Sequence, residues 1–461
     1  MRPHGTKRGK DRPEIKLIEI SQMLLNFDTI FALATGRGKS AVAIVRVSGP
    51  KCEDILEIIC RRANWVDRQA TYANIFDDMG ILIDKGLVLF FKSPRSFTGE
   101  NMVEFHITGG RAIKGALLKA LSELPGMRQA EAGEFARRAF ENGKMDLVQV
   151  EGLAAIVDAE TAAQARHSAL MAFGKVSQQC ELARTELLEA AALVEGLLDF
   201  SDIEDPDGTT IESVREVLKR AKATLRSLLF NGHVTERLRD GFTVAIVGAP
   251  NAGKSTLVNF ILQREAVIVS EIPGTTRDFL EFFVELGGYP VVFIDTAGFR
   301  AALDPIERIG IERSRSRIRA VDLIVWLSDA SHDENEFLPD CVPVIKAHSK
   351  SDLSANLLSS DTIPISARTG QGTEALFAEI VRRAADFFIE AGDAGLGTER
   401  QRAAVELALA AIDRGLALTG RVEEFIAEDI RTALLAVGRV TGRVDVEDVL
   451  DEVFSRLCVG K

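Results

Sequence analysis

The sequence contains few cysteines, and their arrangement excludes two classes of protein that depend on them. Its 461 residues include five cysteines, an odd number, with no Cys-x-x-Cys pair among them. A disulfide framework needs paired cysteines and a structural zinc site needs closely spaced ones, so neither is expected. The pattern favours a reducing compartment. The five are Cys52, Cys60, Cys180, Cys341 and Cys458.

Long apolar runs and an excess of positive charge are also missing. No run approaches the roughly 18 residues that a membrane helix needs, and the N-terminus lacks the apolar core of a signal peptide. The formal net charge is −12, so a general affinity for polyanions is excluded, and RNA contacts would require local basic patches. We expect a cytoplasmic protein without membrane association, and the length predicts about two to four domains.

The most informative feature that is present lies at residues 248–255, which read Gly-Ala-Pro-Asn-Ala-Gly-Lys-Ser after an apolar run at 242–247. A glycine-rich loop between a buried strand and a helix turns consecutive backbone N–H groups toward phosphates. Lys254 would reach the β- and γ-phosphates, and the Ser255 hydroxyl would bind Mg²⁺. The pattern predicts a phosphate-binding loop, with Asn251, Ala252, Gly253 and Thr256 as further nucleotide contacts.

Two further motifs follow in the order that a nucleotide-dependent switch requires. Residues 274–278 (Gly-Thr-Thr-Arg-Asp) can supply a threonine hydroxyl, from Thr275 or Thr276, to the γ-phosphate and Mg²⁺. Residues 295–298 (Asp-Thr-Ala-Gly) end the apolar run 291–294. This position places Asp295 near the metal and the N–H of Gly298 near the γ-phosphate.

The last two motifs predict the pocket for the base. Residues 349–352 (Ser-Lys-Ser-Asp) follow a predicted strand, and Asp352 can accept hydrogen bonds from N1–H and the 2-amino group of guanine. Adenine cannot match that pairing, so the predicted ligand is GTP. Lys350, Ser366 and Ala367 are expected to complete the pocket.

Two positions depart from the usual GTPase pattern. Ser349 stands where the base-reading motif usually has Asn, so we expect GTP specificity to persist with weaker nucleotide retention. Phe299 stands where Ras-like enzymes have the Gln that orients water. Hydrolysis must therefore use another charge and another water-positioning residue.

Composition and periodicity predict the domain organisation. We expect a disordered basic extension at 1–22, with an organelle-targeting segment as the alternative, and an α+β domain at 23–144. Helical periodicity marks 145–238 and 386–461, and alternating strands and helices mark a GTPase domain at 239–385. An apolar stripe from Leu170 to Leu198 predicts one long helix with Phe173 on its buried side.

From Asp28 to Lys461 the chain resembles the MnmE (TrmE) family of tRNA modification GTPases. The matching stretches are residues 44–49, 96–100, 133–135 and 138–144, the five nucleotide motifs, and the Cys-Val-Gly-Lys end. The resemblance implies a multidomain α/β and α-helical fold. Its parts are an N-terminal α+β domain that binds folate and dimerises, a discontinuous helical domain, and an inserted Ras-like P-loop GTPase domain.

The resemblance also implies a function and its partners. A homodimer would work with the FAD-dependent protein MnmG on certain tRNAs, installing a carboxymethylaminomethyl-type group at C5 of the wobble uridine (U34). A tetrahydrofolate, such as 5-formyltetrahydrofolate, would donate the one-carbon unit. In this family K⁺ takes the place of an arginine finger.

The family's site residues carry over as follows. Asn251, Ser270, Ile272 and Thr275 would hold K⁺, while Ser255 and Thr276 would hold Mg²⁺, and Glu307 would orient the attacking water. Arg46, Glu104, Lys144 and Lys461 would contact folate, and Cys458 would act at the site of modification.

Two other functions remain open from sequence. A ribosome-assembly GTPase would need an appended RNA-binding module such as a KH domain, whereas the C-terminal pattern here is helical. A signalling switch would hydrolyse GTP slowly until an external protein activates it.

Overall fold

The computed structural model describes residues 28–199, 210–248, 251–264, 267–268, 280–295, 321–328, 342–353, 362–390, 395–418, 423–444, 447–455 and 457–460. These residues form two compact units. Unit 1 comprises the described residues of Met1–Val150 and Asp445–Lys461, and unit 2 comprises those of Glu151–Val444. The sequence grouped 445–461 with the helical domain instead. The predicted extension at 1–22 lies outside the described residues.

The described strands and helices are as follows in chain order. The strands are β1 (Thr29–Leu33), β2 (Val42–Ser48), β3 (Thr71–Phe76), β4 (Leu82–Phe91), β5 (Met102–Thr108), β6 (Met127–Gln129), β7 (Phe242–Gly248), β8 (Val267–Ile268), β9 (Leu280–Leu286), β10 (Tyr289–Asp295), β11 (Leu323–Ser328), β12 (Val344–His348) and β13 (Thr362–Pro364). The helices are α1 (Cys52–Cys60), α2 (Arg111–Glu123), α3 (Glu134–Glu141), α4 (Leu147–Asp158), α5 (Ala162–Ala172), α6 (Lys175–Asp199), α7 (Ile211–Asp240), α8 (Lys254–Arg264), α9 (Thr373–Glu390), α10 (Glu399–Ala417), α11 (Glu423–Thr441) and α12 (Glu447–Ser455). None of these helices is long and apolar enough to cross a membrane.

Unit 1 is organised around a sheet whose described strands run in the order β3-β4-β5-β2-β1-β6. Alternate side chains along a strand point to opposite faces of the sheet. Val45 and Val103, on neighbouring strands, are fully buried in the main core cluster of this unit, which also contains the apolar side of α1. The intervening residues Arg46 and Glu104 therefore lie on the opposite face.

In unit 2, helices α6, α7, α10 and α11 pack against one another. The helical periodicity predicted for 386–461 agrees with α10 and α11, whose apolar residues at three- and four-residue spacing are buried. Val405 and Ile412 in α10 are buried, as are Ile426 and Ile430 in α11. Such a stripe stabilises a helix mainly through tertiary packing.

The prediction of one helix from Leu170 to Leu198 is wrong. Helix α5 ends at Ala172 and α6 begins at Lys175. Gly174 adopts a left-handed φ of 85°, and its N–H bonds to the carbonyl of Met171, an arrangement that ends a helix. Phe173, predicted on the buried side, is 80% exposed. The apolar spacing continues across the break, so periodicity alone could not reveal it.

The second sheet lies in unit 2 and its described strands run in the order β13-β12-β11-β7-β10-β9-β8. Strands β7, β10, β11, β12 and β13 are parallel, whereas β9 is antiparallel to both of its neighbours. Val244 and Ala245, adjacent on β7, belong to buried clusters on opposite faces. Parallel sheets are usually covered on both faces, which explains the continuous apolar runs in the sequence. The predicted fold class is confirmed.

Candidate functional site

The loop between β7 and α8 has the backbone that phosphate binding requires. An added Cβ at Gly248 would lie 2.1 Å from the carbonyl oxygen of Leu327, so the close approach of β7 to β11 requires glycine there. Asn251 and Gly253 adopt left-handed φ values of 64° and 88°. Gly253 directly precedes α8, so these left-handed residues lead into the start of that helix.

The charged and polar groups of this loop lie at the N-terminus of α8. The Lys254 Nζ donates a hydrogen bond to the carbonyl of Gly248 at 2.8 Å. Ala252 is fully buried, while Asn251, Ser255 and Thr256 are exposed. Free N–H groups and the helix dipole favour an anion at such a terminus, and the two exposed hydroxyls lie in the first turn.

A cavity of about 170 Å³ lies beside this loop. It joins the end of the phosphate-binding loop to the residues that follow β12 and β13, so two motifs far apart in sequence line one space. Whole small-molecule pockets measure about 300–1,000 Å³, so this volume suits a nucleobase whose phosphates lie outside it. The lining residues are Gly253, Thr256, Leu257, Leu327, Ser349, Lys350, Asp352, Leu353, Ile365, Ser366, Ala367 and Arg368.

Backbone hydrogen bonds fix the loops that form this cavity. The N–H of Ile365 bonds to the carbonyl of His348 at 2.8 Å, and the N–H of Ser351 bonds to the carbonyl of Ile365 at 3.1 Å. Ser366 is buried, and its N–H bonds to the carbonyl of Gln371 at 2.8 Å. Lys350 adopts a left-handed φ of 58°. The turn at 349–352 therefore has a fixed shape, with the Asp352 side chain exposed.

Ser349 connects to the end of β11. Its N–H and its hydroxyl both donate to the carbonyl of Ser328, at 2.8 and 3.1 Å. An added Cβ on Gly253 would lie 3.7 Å from the Ser349 Cβ, so the two residues face each other. The position where an Asn amide would reach the phosphate-binding loop is thus occupied by a hydroxyl that bonds elsewhere.

Several predicted site residues fall outside this description. The side chain of Asp295 is not described, although its backbone pairs with Ile246 at the end of β10. The predicted K⁺, Mg²⁺ and water-positioning sites therefore remain predictions wherever they depend on the other residues. Ser270, Ile272, Thr275, Thr276, Gly298, Phe299, Glu307 and Lys461 lie outside the described residues.

A second polar cluster lies on the sheet of unit 1. The Nε and Nη2 atoms of Arg46 donate to Oε1 of Glu104 at 3.0 and 2.9 Å. The Arg46 guanidinium also lies over the rings of Phe97 and Phe135, with its carbon 5.4 and 5.8 Å from their centroids. A third donor, Nη1, bonds to the carbonyl of Gly460 at 3.2 Å. Of the predicted folate residues, Arg46 is thus in direct contact with the C-terminal tail, and Glu104 is bonded to Arg46.

The tail docks through its backbone. Val459 forms an antiparallel bridge with Ala132, and the carbonyl of Cys458 accepts from the N–H of Gly133 at 3.5 Å. Gly460 has a φ of 104°, and an added Cβ would lie 2.6 Å from the carbonyl oxygen of Leu33. Leu457 is buried, whereas the thiol-bearing Cys458 is exposed. This docking fixes the backbone on both sides of Cys458 while its thiol stays accessible. Lys144 is also exposed and lies next to Gly99.

Sequence reasoning missed His106. Its Nε2 lies 3.5 Å from Oε2 of Glu104, is buried, and has no hydrogen-bond partner among the described residues. Its proximity to Glu104 could have been predicted from sequence, because residues two apart on a strand share a face.

The network around Arg138 was also missed. This side chain is only 5% exposed and contacts Asp28 at 2.7 Å and both Glu100 and Glu134 at 3.1 Å. Burial alone would lower the pKa of Arg138, but the surrounding carboxylates outweigh burial and raise that pKa. The network joins the start of β1 to α3. The residues Ala132 and Gly133, which bind the tail, directly precede this helix.

Comparison with known proteins covers nearly the whole chain. The family model described as "MnmE helical domain" matches residues 147–458, and the one described as "GTP-binding protein TrmE N-terminus" matches residues 29–144. The tRNA modification GTPase MnmE of Rhodospirillum rubrum is 43% identical, covering 95% of this chain and 100% of that protein. The protein of the same name from Roseobacter denitrificans is 43% identical, covering 94% and 100%.

Among solved structures, the chain is similar over part of its length to a GTP-binding domain. The G domain of the T. maritima FeoB iron transporter is 24% identical and covers 31% of this chain and 98% of its own. Its TM-score is 0.25, which is too low to support an argument.

Proposed function

The chain belongs to the MnmE family of tRNA modification GTPases, and we propose that it couples GTP hydrolysis to the modification of C5 of the wobble uridine (U34) in certain tRNAs. The product would carry a carboxymethylaminomethyl-type group. The observation that carries the GTP-binding half of this proposal is the cavity shared by Gly253, Ser349 and Asp352, which joins a phosphate-binding loop to a base-reading loop.

In the proposed nucleotide site, Asp352 pairs with guanine, and Lys350, Ser366 and Ala367 enclose the base. The N–H groups of residues 251–256 and the Lys254 ammonium hold the phosphates, once Lys254 exchanges its bond to Gly248 for a phosphate oxygen. Both groups are charged in the phosphate contact, so it is stronger than the bond from the ammonium to a neutral carbonyl that it replaces. Asp295 and Gly298 belong to the same site.

Two cations complete the proposed site. Ser255 and Thr276 would hold Mg²⁺, whose charge stabilises the β- and γ-phosphates. Asn251, Ser270, Ile272 and Thr275 would hold K⁺, and the exposed side chain of Asn251 can turn toward it. A monovalent cation there would offset charge that develops during hydrolysis, the role of an arginine finger in other GTPases. Glu307 would orient the attacking water in place of the missing Gln.

The second half of the proposal concerns unit 1. Arg46, Glu104, Lys144 and Lys461 would bind a tetrahydrofolate, with Cys458 acting where the uridine is modified. The chemistry of the cluster fits such a ligand. A guanidinium held between Glu104 and two aromatic rings can bind a carboxylate, and the unpartnered His106 Nε2 offers another polar contact. The bound folate would supply a one-carbon unit.

The proposed assembly is a homodimer that acts together with MnmG. We also propose the domain boundaries predicted from sequence, with a GTPase domain at 239–385 between the two parts of a helical domain at 145–238 and 386–461.

The cation proposal can be tested by measuring GTP turnover in K⁺ and in Na⁺ at saturating Mg²⁺. We expect turnover at least about tenfold higher in K⁺, because one charge-stabilising contact is worth about 1.4 kcal/mol. Asn251→Ala should bind nucleotide but lose the difference between the two salts. Equal rates for the parent protein would reject the K⁺ site and favour a slow signalling switch.

Nucleoside analysis of tRNA from cells that lack the protein tests the proposed role in tRNA modification. Loss of the C5 modification at U34, restored by the intact gene, is the expected result. Normal tRNA with defective ribosome assembly would favour the alternative GTPase function instead.

A further inference from the structure

We propose that residues 61–68 of unit 1, called here the arginine loop, form a docking surface for the phosphate backbone of tRNA. The loop joins α1 to β3 and reads Arg-Arg-Ala-Asn-Trp-Val-Asp-Arg. It is distinct from the Arg46 cluster, and the proposal rests on the proposed function only in taking tRNA as the partner.

The backbone of this loop is unusual. Five non-glycine residues of the described chain have a left-handed φ, namely Arg61, Asn64, Arg68, Asn251 and Lys350. The last two belong to the candidate nucleotide site, and the first three lie within the arginine loop. Arg61 is the C-cap of α1, where glycine would adopt this conformation without strain. Strained non-glycine backbone concentrates at functional sites, so arginine at such a position indicates a use for its side chain.

Each arginine of the loop lies over an aromatic ring. The guanidinium carbons of Arg61, Arg62 and Arg68 lie 4.8, 5.3 and 5.6 Å from the ring centroids of Phe76, Trp65 and Phe91 respectively. Trp65 is itself fixed, because its Nε1 donates to the carbonyl of Arg62 at 2.8 Å and its ring packs against the core. Stacking of this kind orders the side chain while the N–H groups at the edge of the guanidinium remain available.

The charge of these three arginines is not neutralised within the described chain. None of them has a carboxylate within ion-pair distance among the described residues, and all three are exposed. Most exposed arginines of unit 2 behave differently. Arg382, for example, binds Glu379 at 2.6 Å and Asp386 at 2.7 Å.

Two further basic residues extend the surface. Arg68 donates to the carbonyl of Arg95, which is 73% exposed, and Lys92 is exposed close by. Asp67 is occupied, since its carboxylate accepts from Arg95 at 2.8 Å and from the N–H of Lys92 at 2.9 Å. Asp77 accepts from the N–H of Ile81 at 2.6 Å. Asp67 and Asp77 are thus engaged with local groups, whereas Asp78, in the turn of the adjoining hairpin, is exposed.

The three exposed guanidiniums have no carboxylate partner among the described residues, and with the exposed Lys92 they match the charge of a polynucleotide backbone. The net charge of −12 makes non-specific attraction to RNA weak, so a tRNA substrate needs such a local patch. The contact proposed here is with phosphates and carries no base specificity. Anionic lipid offers the same charge, and the experiment below separates the two.

The test measures the affinity of the full-length protein for tRNA by fluorescence anisotropy, from low to physiological salt. The variant is Arg61→Gly with Arg62→Gln and Arg68→Asn, since Gly and Asn tolerate the left-handed backbone. The control is Arg220→Gln with Arg382→Gln and Arg431→Gln, which removes the same charge from exposed helix positions of unit 2. Phosphatidylserine vesicles serve as the second anionic probe.

We expect the loop variant to lose about tenfold or more in tRNA affinity and its log–log salt slope to fall by roughly 2 to 3, while the control changes less than twofold. GTP turnover should be unchanged in both variants. This readout shows that the fold is intact, and it tests the proposed nucleotide function independently of tRNA binding. Equal losses in variant and control, absence of tRNA binding by the parent, or loss of vesicle binding with parent-like tRNA affinity would each overturn the proposal.

Discussion

In unit 2, most of the residues that line the base cavity lie in loops that follow parallel strands, and each loop contains a short sequence motif. In unit 1, by contrast, Arg46 bonds to the carbonyl of Gly460, 414 residues further along the chain. The first site is organised by local backbone geometry, including left-handed residues such as Asn251 and Lys350. The second is organised by side chains across strands and by the docking of the tail.

This difference predicts how each site responds to change. A substitution in a loop of the nucleotide site should alter ligand affinity and leave the sheet intact, because the loops extend beyond the ends of the strands. A substitution in the buried network of Arg138 in unit 1 should instead act through stability, since this network joins α3 to the start of β1.

Arg138→Met should produce the largest effect. It leaves the carboxylates of Asp28, Glu100 and Glu134 with one buried cation fewer, and breaking such a network costs about 3–5 kcal/mol. The adjacent Arg137 is a matched control, because its ion pairs with Glu141 and Asp451 are exposed, so Arg137→Met should cost less than about 1 kcal/mol. Urea unfolding of unit 1, monitored by hydrogen exchange, measures the stability cost of both substitutions. Equal costs would show that the network contributes little.

Asp352→Asn should reduce GTP affinity by about 2 kcal/mol, or roughly thirtyfold, because a charged acceptor for guanine is lost. Xanthine presents a carbonyl in place of the 2-amino group, so the variant should prefer XTP. Binding of fluorescent GDP and XDP to the parent and the variant measures this exchange. If the preference for guanine persists, the base is recognised by other residues. The loop at 349–352 would then not determine specificity, which contradicts the account of a nucleotide site organised by local motifs.

Ser349→Asn should produce the smallest effect. The longer amide can reach toward Gly253, where an added Cβ would lie 3.7 Å from the Ser349 Cβ, and add a tie between the base loop and the phosphate-binding loop. One neutral hydrogen bond is worth about 1 kcal/mol, so GDP should bind roughly fivefold more tightly. The dissociation rate of GDP is the direct readout. Weaker binding would mean that the bond from Ser349 to Ser328 matters more than the missing amide.

The sequence predicted the two sites unequally, for physical reasons. The strand, loop and helix around Lys254 were predicted because phosphate binding depends on local backbone shape, which glycine and lysine spacing encodes. Family resemblance alone predicted that Arg46 and the tail residue Lys461 share a folate site, and the direct bond from Arg46 to Gly460 was not predicted, since no periodicity reports a pairing across the chain. Arg138 was missed because a charge inside a helix pattern gives no sign of its partners, and His106 was missed although its spacing from Glu104 places both on one face of the strand. The single helix predicted across Gly174 was wrong because apolar spacing does not register a left-handed glycine.

The central claim is that GTP hydrolysis and the chemistry on tRNA belong to separate sites of one protein. A variant that lacks residues 457–461, compared with Cys458→Ser as a milder change, tests it when GTP turnover and U34 modification are measured in one reaction with MnmG, folate and tRNA. The account predicts GTP turnover within about threefold of the parent, under roughly 0.7 kcal/mol of barrier change, and no detectable modification. Normal modification by the truncated protein, or loss of K⁺-stimulated turnover together with modification, would contradict it.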